Sequence, residues 1–225
     1  MRLNWQVLWK THFFVILTMA IICLGFFLRG YAFNTVPATL YWDEVAMLVD
    51  ARFIAETGRD LHNNLWLQPL FISYGDFKLP VYIWLTALAS MLIESDAAVR
   101  VPNLLAGIGS LIVTAYLAVS LTKKDFDIRE KFSIEEKLLF LATLLVQAIS
   151  PWAIHFSRTG FEAFMSQFLL SLSALIIINS RRRPLLLGLG VLFGSLATYT
   201  YFSTRFVWPV VIIALWFIRF FTLPP

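Results

Sequence analysis

The sequence predicts an all-α protein, a polytopic transmembrane helical bundle with juxtamembrane helices in a long first external loop. Three observations carry that expectation. The 225 residues are 59% hydrophobic and 14% charged, with a mean hydropathy of +0.75, whereas soluble domains carry about 25% charged residues. Charge-free apolar runs recur along the chain, at residues 13–28, 79–93, 101–122, 138–154, 163–180, 184–204 and 206–218. Eight of the fourteen carboxylates (Asp43, Glu44, Asp50, Glu56, Asp60, Asp76, Glu94 and Asp96) fall between the first and third of these runs.

The first run lacks a small-x-small cleavage pattern and leads into Phe26-Phe27-Leu28-Arg29, so it reads as an uncleaved span. Its Cys23, the single cysteine, reads as a small buried hydrophobe and can form no internal disulfide. A bilayer core about 30 Å thick takes roughly 20 helical residues, with about 17 as a lower limit. The run at 79–93 has fifteen and opens with Leu79-Pro80, which suits a helix lying in the interface rather than a span.

Charge in the short loops agrees. With 79–93 left out of the membrane, Arg2 and Lys10, the segment 123–137 and the triplet Arg181-Arg182-Arg183 share one side, and Arg158 and Arg205 remain opposite. By the positive-inside rule the N-terminus is then cytoplasmic. A first external loop covers about 30–100, and five further spans follow.

Inside that loop Asp43 or Glu44 starts a helix with Val45, Leu48, Val49 and Phe53 at helical spacing, ending before Gly58. A carboxylate in the first turn meets the positive end of the helix dipole and stays ionised. Residues 63–76, with Pro69 and Gly75, read as turns and extended chain. Lys78 and Arg100 return as isolated cations later in the loop.

In the second span, Gly107 and Gly109 allow close helix approach. The segment 123–136 is a mixed-charge cytoplasmic loop, and Ser150-Pro151-Trp152 ends the third span. A second external turn then runs through His155, Arg158 and Glu162, and ionisable groups at a membrane edge are functional candidates.

The sequence holds no nucleotide loop, zinc-type Cys/His spacing or Ser/His/Asp constellation. A net charge of +4, with basic residues beside apolar runs, points to anionic lipid headgroups and away from nucleic acid.

The ordered set Trp42-Asp43-Glu44, Gly58-Arg59-Asp60, Gly75-Asp76-Phe77-Lys78-Leu79-Pro80-Val81-Tyr82, Val99-Arg100-Val101-Pro102, Ser150-Pro151-Trp152 and Ser157-Arg158 with Glu162 resembles the GT-C membrane glycosyltransferases. Within them it is most similar to the bacterial branch related to protein O-mannosyltransferases and aminoarabinose transferases. The resemblance implies a GT-C bundle, of which residues 1–225 are the N-terminal part, since the family's chains run on beyond the point matched by Pro224-Pro225.

It further implies transfer of a sugar from a polyprenyl-phosphate donor to an acceptor hydroxyl on a lipid, protein or glycan. Transfer would take place at the outer face of a bacterial plasma membrane, with inversion. Asp43 matches the acidic residue that acts as the base and Glu44 its catalytic partner. Lys78 and Arg100 match donor-phosphate ligands, and Arg158 and Glu162 match the second-loop arginine and acid. The family's Lys-Pro-Pro is here Lys78-Leu79-Pro80. Where the aminoarabinose transferases carry a metal-binding Glu, this chain has Phe77, which leaves a divalent metal open with Asp76 and His155 as its candidate ligands.

Two rivals come from other classes. A transporter or flippase of lipid-linked sugar predicts ionisable groups near the bilayer midplane and broken helices in both halves. A non-catalytic subunit of a membrane complex would use the loop only to bind a partner.

Overall fold

The computed structural model describes residues 5–122, 131–180 and 183–222, the side chains being placed for residues 12–122, 131–180 and 183–217. Arg2, Arg181, Arg182, the stretch 123–130 and Pro224-Pro225, on which several expectations rest, lie outside the described residues.

The chain is mostly helical. Helix α1 (Trp5–Gly30) is followed by α2 (Trp42–Thr57), then by a hairpin of β1 (Phe71–Ser73) and β2 (Asp76–Lys78), and by α3 (Pro80–Ser90). A 3₁₀ turn, Asp96–Arg100, runs straight into α4 (Val101–Thr122). Beyond it come α5 (Ile134–Ile149), α6 (Pro151–Ser157), α7 (Glu162–Ile178), α8 (Pro184–Thr198) and α9 (Thr204–Thr222).

Among the described residues two helical segments are long and apolar enough to cross a membrane, His12–Gly30 and Asp96–Thr122. The pair α5 and α6, bent by 60° at Ser150-Pro151, makes a third if taken as one span. The six expected spans are thus not all matched by length. Helix α7 has 17 residues and α8 has 15, so both are apolar but short. Proline explains the α5–α6 break, because it supplies no N–H to continue the ladder and its ring clashes with the preceding turn.

The expected helix after Tyr41 is present, with Gly58 closing it in the left-handed region at φ 70°. Its buried face is turned from the expected one. Val45 and Phe53 are exposed, while Glu44, Met47, Leu48, Ala51 and Ile54 point inward. Two acids, Glu44 and Asp50, share this inward face, and that is why a purely apolar reading of the helix aimed it wrongly.

The hairpin is an addition to an all-α expectation. Tyr74 and Gly75 both take positive φ, which a two-residue turn of this hand requires, and Phe71 pairs with Lys78.

Helix α3 spans only about 16 Å at 1.5 Å per residue, short of a bilayer core of about 30 Å. It buries Val81, Tyr82, Ile83 and Ala87 against α2, α4 and the 3₁₀ turn, so it packs into the protein rather than into lipid. These residues form one core with Phe71, Val99, Phe164 and Met165. A second core joins α1, α4 and α5 through Ile21, Leu111, Val119, Phe140 and Leu144. Helix α4 contributes to both. Gly107 and Gly109 are where Ser157 and Phe168 press on it, leaving no room for a Cβ. Helix α5 starts earlier than the apolar run, at a capping box in which Ser133 accepts from Glu136 N–H and Glu136 accepts from Ser133 N–H. Cys23 is exposed on the outer face of α1, contrary to the buried position expected for it.

Candidate active site

Three segments far apart in sequence converge beside the ends of α2 and α7. The first turn of α2 brings Asp43, β2 ends on Lys78, and α7 begins with Glu162. Lys78 Nζ donates to Asp43 Oδ1 at 2.6 Å, lies 3.4 Å from Glu162 Oε1 and is 3.6 Å from Asp76 Oδ2. These four residues line a cavity of about 420 Å³ together with Phe77, Phe156, Phe161, Ala163 and Tyr201. Its chemistry is thus three carboxylates around one ammonium, with aromatic walls.

The electrostatics follow from burial and partners. Burial pulls the Lys78 ammonium downward in pKa, but the bond from Asp43 and the charges of Glu162, Asp43 and Asp76 outweigh it, leaving a net rise. Burial raises the Glu162 carboxyl above the usual carboxylate range; Lys78 pulls it back and Asp43 pushes it further up. Glu162 precedes the apolar run at 163–180, so this shift belongs to the rim.

Each side chain is positioned by a separate device. The loop before Glu162 is clamped by Asn103, whose Nδ2 donates to Thr159 O at 2.7 Å and Phe161 O at 2.8 Å. Asp43 is set by its neighbour. Glu44 accepts from Tyr41 N–H at 2.8 Å, Gly160 N–H at 2.7 Å and Arg100 Nε at 2.9 Å, and is fully buried. Arg100 also donates to Pro37 O and Thr39 O at 2.8 Å each and is 2% exposed. Glu44 therefore joins the start of α2, the 3₁₀ turn and the turn between α6 and α7 through one carboxylate.

Behind the cleft, Asp60 closes the loop between α2 and the hairpin. It accepts from the backbone N–H of His62 and Asn64 and from the side chains of Asn64 and Gln68. Burial raises its carboxyl, but these bonds outweigh it and leave the pKa lowered.

The predicted site residues accordingly divide. Asp43, Lys78, Glu162 and Asp76 meet in the cleft. Glu44 and Arg100 do not line it, and their polar atoms are spent on each other and on backbone. Arg100, expected as a phosphate ligand, and Glu44, expected as a catalytic group, thus lie outside the lining of the cleft. Arg158 is likewise turned away, donating to Tyr31 O at 2.6 Å and Leu28 O at 3.4 Å, so it ties the turn between α6 and α7 to the end of α1 instead of facing the cleft. His155 packs edge-on against Phe156 and is not a lining residue. Among the described residues no three His, Cys, Asp or Glu side chains are grouped so that they could hold a metal ion, and His155 does not share the cleft lining with Asp76.

The sequence reading missed Asn103 and Tyr201. Asn103 stood out as a lone amide in the first turn of an apolar helix, a costly position unless its bonds are satisfied. Tyr201 sits in the aromatic cluster Tyr199-Thr200-Tyr201-Phe202 between two apolar runs, where a turn at the membrane surface brings aromatics together.

No protein-family model matches the chain, and comparisons with curated proteins and with solved structures find no significant similarity.

Proposed function

We propose that this chain is a membrane glycosyltransferase of the GT-C type, moving a sugar from a polyprenyl-phosphate donor to an acceptor hydroxyl at the non-cytoplasmic face, with inversion. The observation that supports it best is the convergence of Asp43, Lys78 and Glu162 in one aromatic-walled cleft beside apolar helices. In this proposal α1, α4, α5 with α6, α7, α8 and α9 cross the bilayer. The N-terminus is cytoplasmic and the membrane a bacterial plasma membrane.

The chemistry asks for few groups. Asp43 removes the acceptor proton as the acceptor oxygen bonds to the anomeric carbon, a role that needs a carboxylate within hydrogen-bond reach. The bond from that carbon to the phosphate oxygen breaks on the opposite side, and the electron pair leaves with the phosphate. Lys78 stabilises the negative charge that develops there. Phe77, Phe156, Phe161 and Tyr201 offer apolar faces to the sugar ring, and Glu162 keeps Lys78 in the cleft. A lipid, protein or glycan serves as acceptor.

A transporter of the same lipid-linked sugar has two observations on its side. The α5–α6 helix is broken by 60°. Arg29, wholly buried, donates to Gly25 O, Ala148 O and Gln147 O at that break. It sits in the last turn of α1, however, toward the edge of the bilayer and not its middle. Liposomes holding the protein, a labelled lipid-linked sugar and a candidate acceptor separate the two. The enzyme yields acceptor with the label bound at an inverted anomeric centre; donor that only changes leaflet, with no label transferred, would establish the transporter.

A further inference from the structure

Asp43 and Lys78 are the two groups that the proposed reaction needs free, and in this structure they are bonded to each other at 2.6 Å. We propose that this pair is a latch that the donor's phosphate opens, so that donor binding and release of the base are one event. The inference rests on the donor-phosphate role given to Lys78 above and adds an order of binding to it.

The geometry supports an exchange more than a static pair. Lys78 is anchored at the end of β2, with its side chain 10% exposed, and Asp43 is 43% exposed at the cleft mouth. An ammonium has three donors that rotate on a flexible stem. Asp43, Glu162 and Asp76 all face it, at 2.6, 3.4 and 3.6 Å. With this surplus of carboxylate, Lys78 can give up Asp43 and stay paired with Glu162, the more buried partner at 14% exposure.

A phosphate diester entering the cleft passes the exposed carboxylates Asp43 and Asp76 before it reaches the ammonium, whose side chain is 10% exposed. It competes with Asp43 for the same ammonium, and both cannot hold the short bond at once. While Lys78 holds it, the bonded Asp43 oxygen is not free to take the acceptor proton, and the phosphate releases that oxygen by taking Lys78. Donor binding thus frees Asp43 before the acceptor is deprotonated. Glu162 and Asp76 stay close to the incoming anion and oppose it, so the cleft binds phosphate weakly unless Asp43 yields.

The test uses the whole protein in detergent and farnesyl methyl phosphate, a phosphodiester with one fixed charge. Binding is measured calorimetrically for the wild type and two variants. The wild type should bind weakly. Asp43→Asn removes the competitor, so it should bind roughly twofold to fivefold more tightly, and Lys78→Met should lose binding.

Equal affinity in wild type and Asp43→Asn would overturn the latch while leaving the phosphate site standing. No binding to either would overturn the phosphate site and the latch together. Where Asp43→Asn does not fold, Asp43→Ser also removes the competing carboxylate, and equal affinity there would refute the exchange.

Discussion

Two carboxylates that are neighbours in sequence, Asp43 and Glu44, meet two cations in opposite ways. Glu44 and Arg100 form a closed pair, 0% and 2% exposed, with further bonds to Tyr41, Gly160, Pro37 and Thr39. Asp43 and Lys78 form an open pair at the wall of a cavity, with Asp43 exposed to 43%. The helix decides which is which. Successive residues on a helix point about 100° apart, so when α2 packs by its Glu44 face, Asp43 is turned to the cleft. A closed pair fixes three segments of chain relative to one another, and an open pair leaves atoms available for a ligand. Adjacent acids thus serve structure and chemistry separately.

Breaking the closed pair should have the largest effect on stability. Glu44→Gln or Arg100→Met leaves one buried group without its counter-charge, at a cost of about 3–5 kcal/mol. Unfolding followed in detergent should show it, and combining the two changes should cost less than the sum of the singles. Additive losses would mean that the pair is not a unit.

A smaller strain comes from Gly160, where an added Cβ would lie 3.0 Å from Val99 Cγ2 and 3.1 Å from Glu44 Cγ. Gly160→Ala should destabilise by about 1–3 kcal/mol as an overpacked site, and cleft variants should not. A melting temperature equal to wild type would show that the turn between α6 and α7 is not pressed on Glu44 as tightly as the closed pair requires.

The smallest effect belongs to the open side and depends on pH. The folded Glu162 carboxyl titrates above its unfolded value, mainly through burial. Its protonated form is therefore favoured by folding, and that contribution is fully present below about pH 4.3, the ordinary glutamate value. It is lost as pH rises through the higher folded value. Glu162→Gln should flatten the fall in wild-type stability over that window, read from melting temperatures taken at steps between pH 4 and pH 7. Identical profiles in the two proteins would mean that Lys78 compensates the burial of Glu162 fully.

Much of this was legible from residue order. Helix α2, its end at Gly58, the shortness of α3 and the close approach at Gly107 follow from local rules that need no partner. Membership of the site was partly legible, since Asp43, Lys78 and Glu162 stand out as charges beside apolar runs. Which cation pairs with which acid was not. Arg100 and Lys78 look alike in sequence as single cations in an acidic loop, and only packing shows that one is sealed against Glu44 while the other opens on the cleft. The hairpin was hidden because its strands have three residues each, too few for an alternation to register. The α7 and α8 lengths escaped for a related reason, because helix ends are set by the turns that flank an apolar run and not by the run itself.

The division of labour between the two acids is tested most directly by one measurement, the turnover per folded molecule of Asp43→Asn and Glu44→Gln in a sugar-transfer assay on lipid-linked donor, with the folded fraction counted in the same samples. Asp43→Asn should fold like the wild type and lose roughly 10²-fold to 10⁴-fold in turnover, the usual worth of positioned proton transfer, while Glu44→Gln should lose folded protein and keep near-normal turnover in what remains. A stable Glu44→Gln protein with no turnover, beside an Asp43→Asn protein that transfers at the normal rate, would contradict the account.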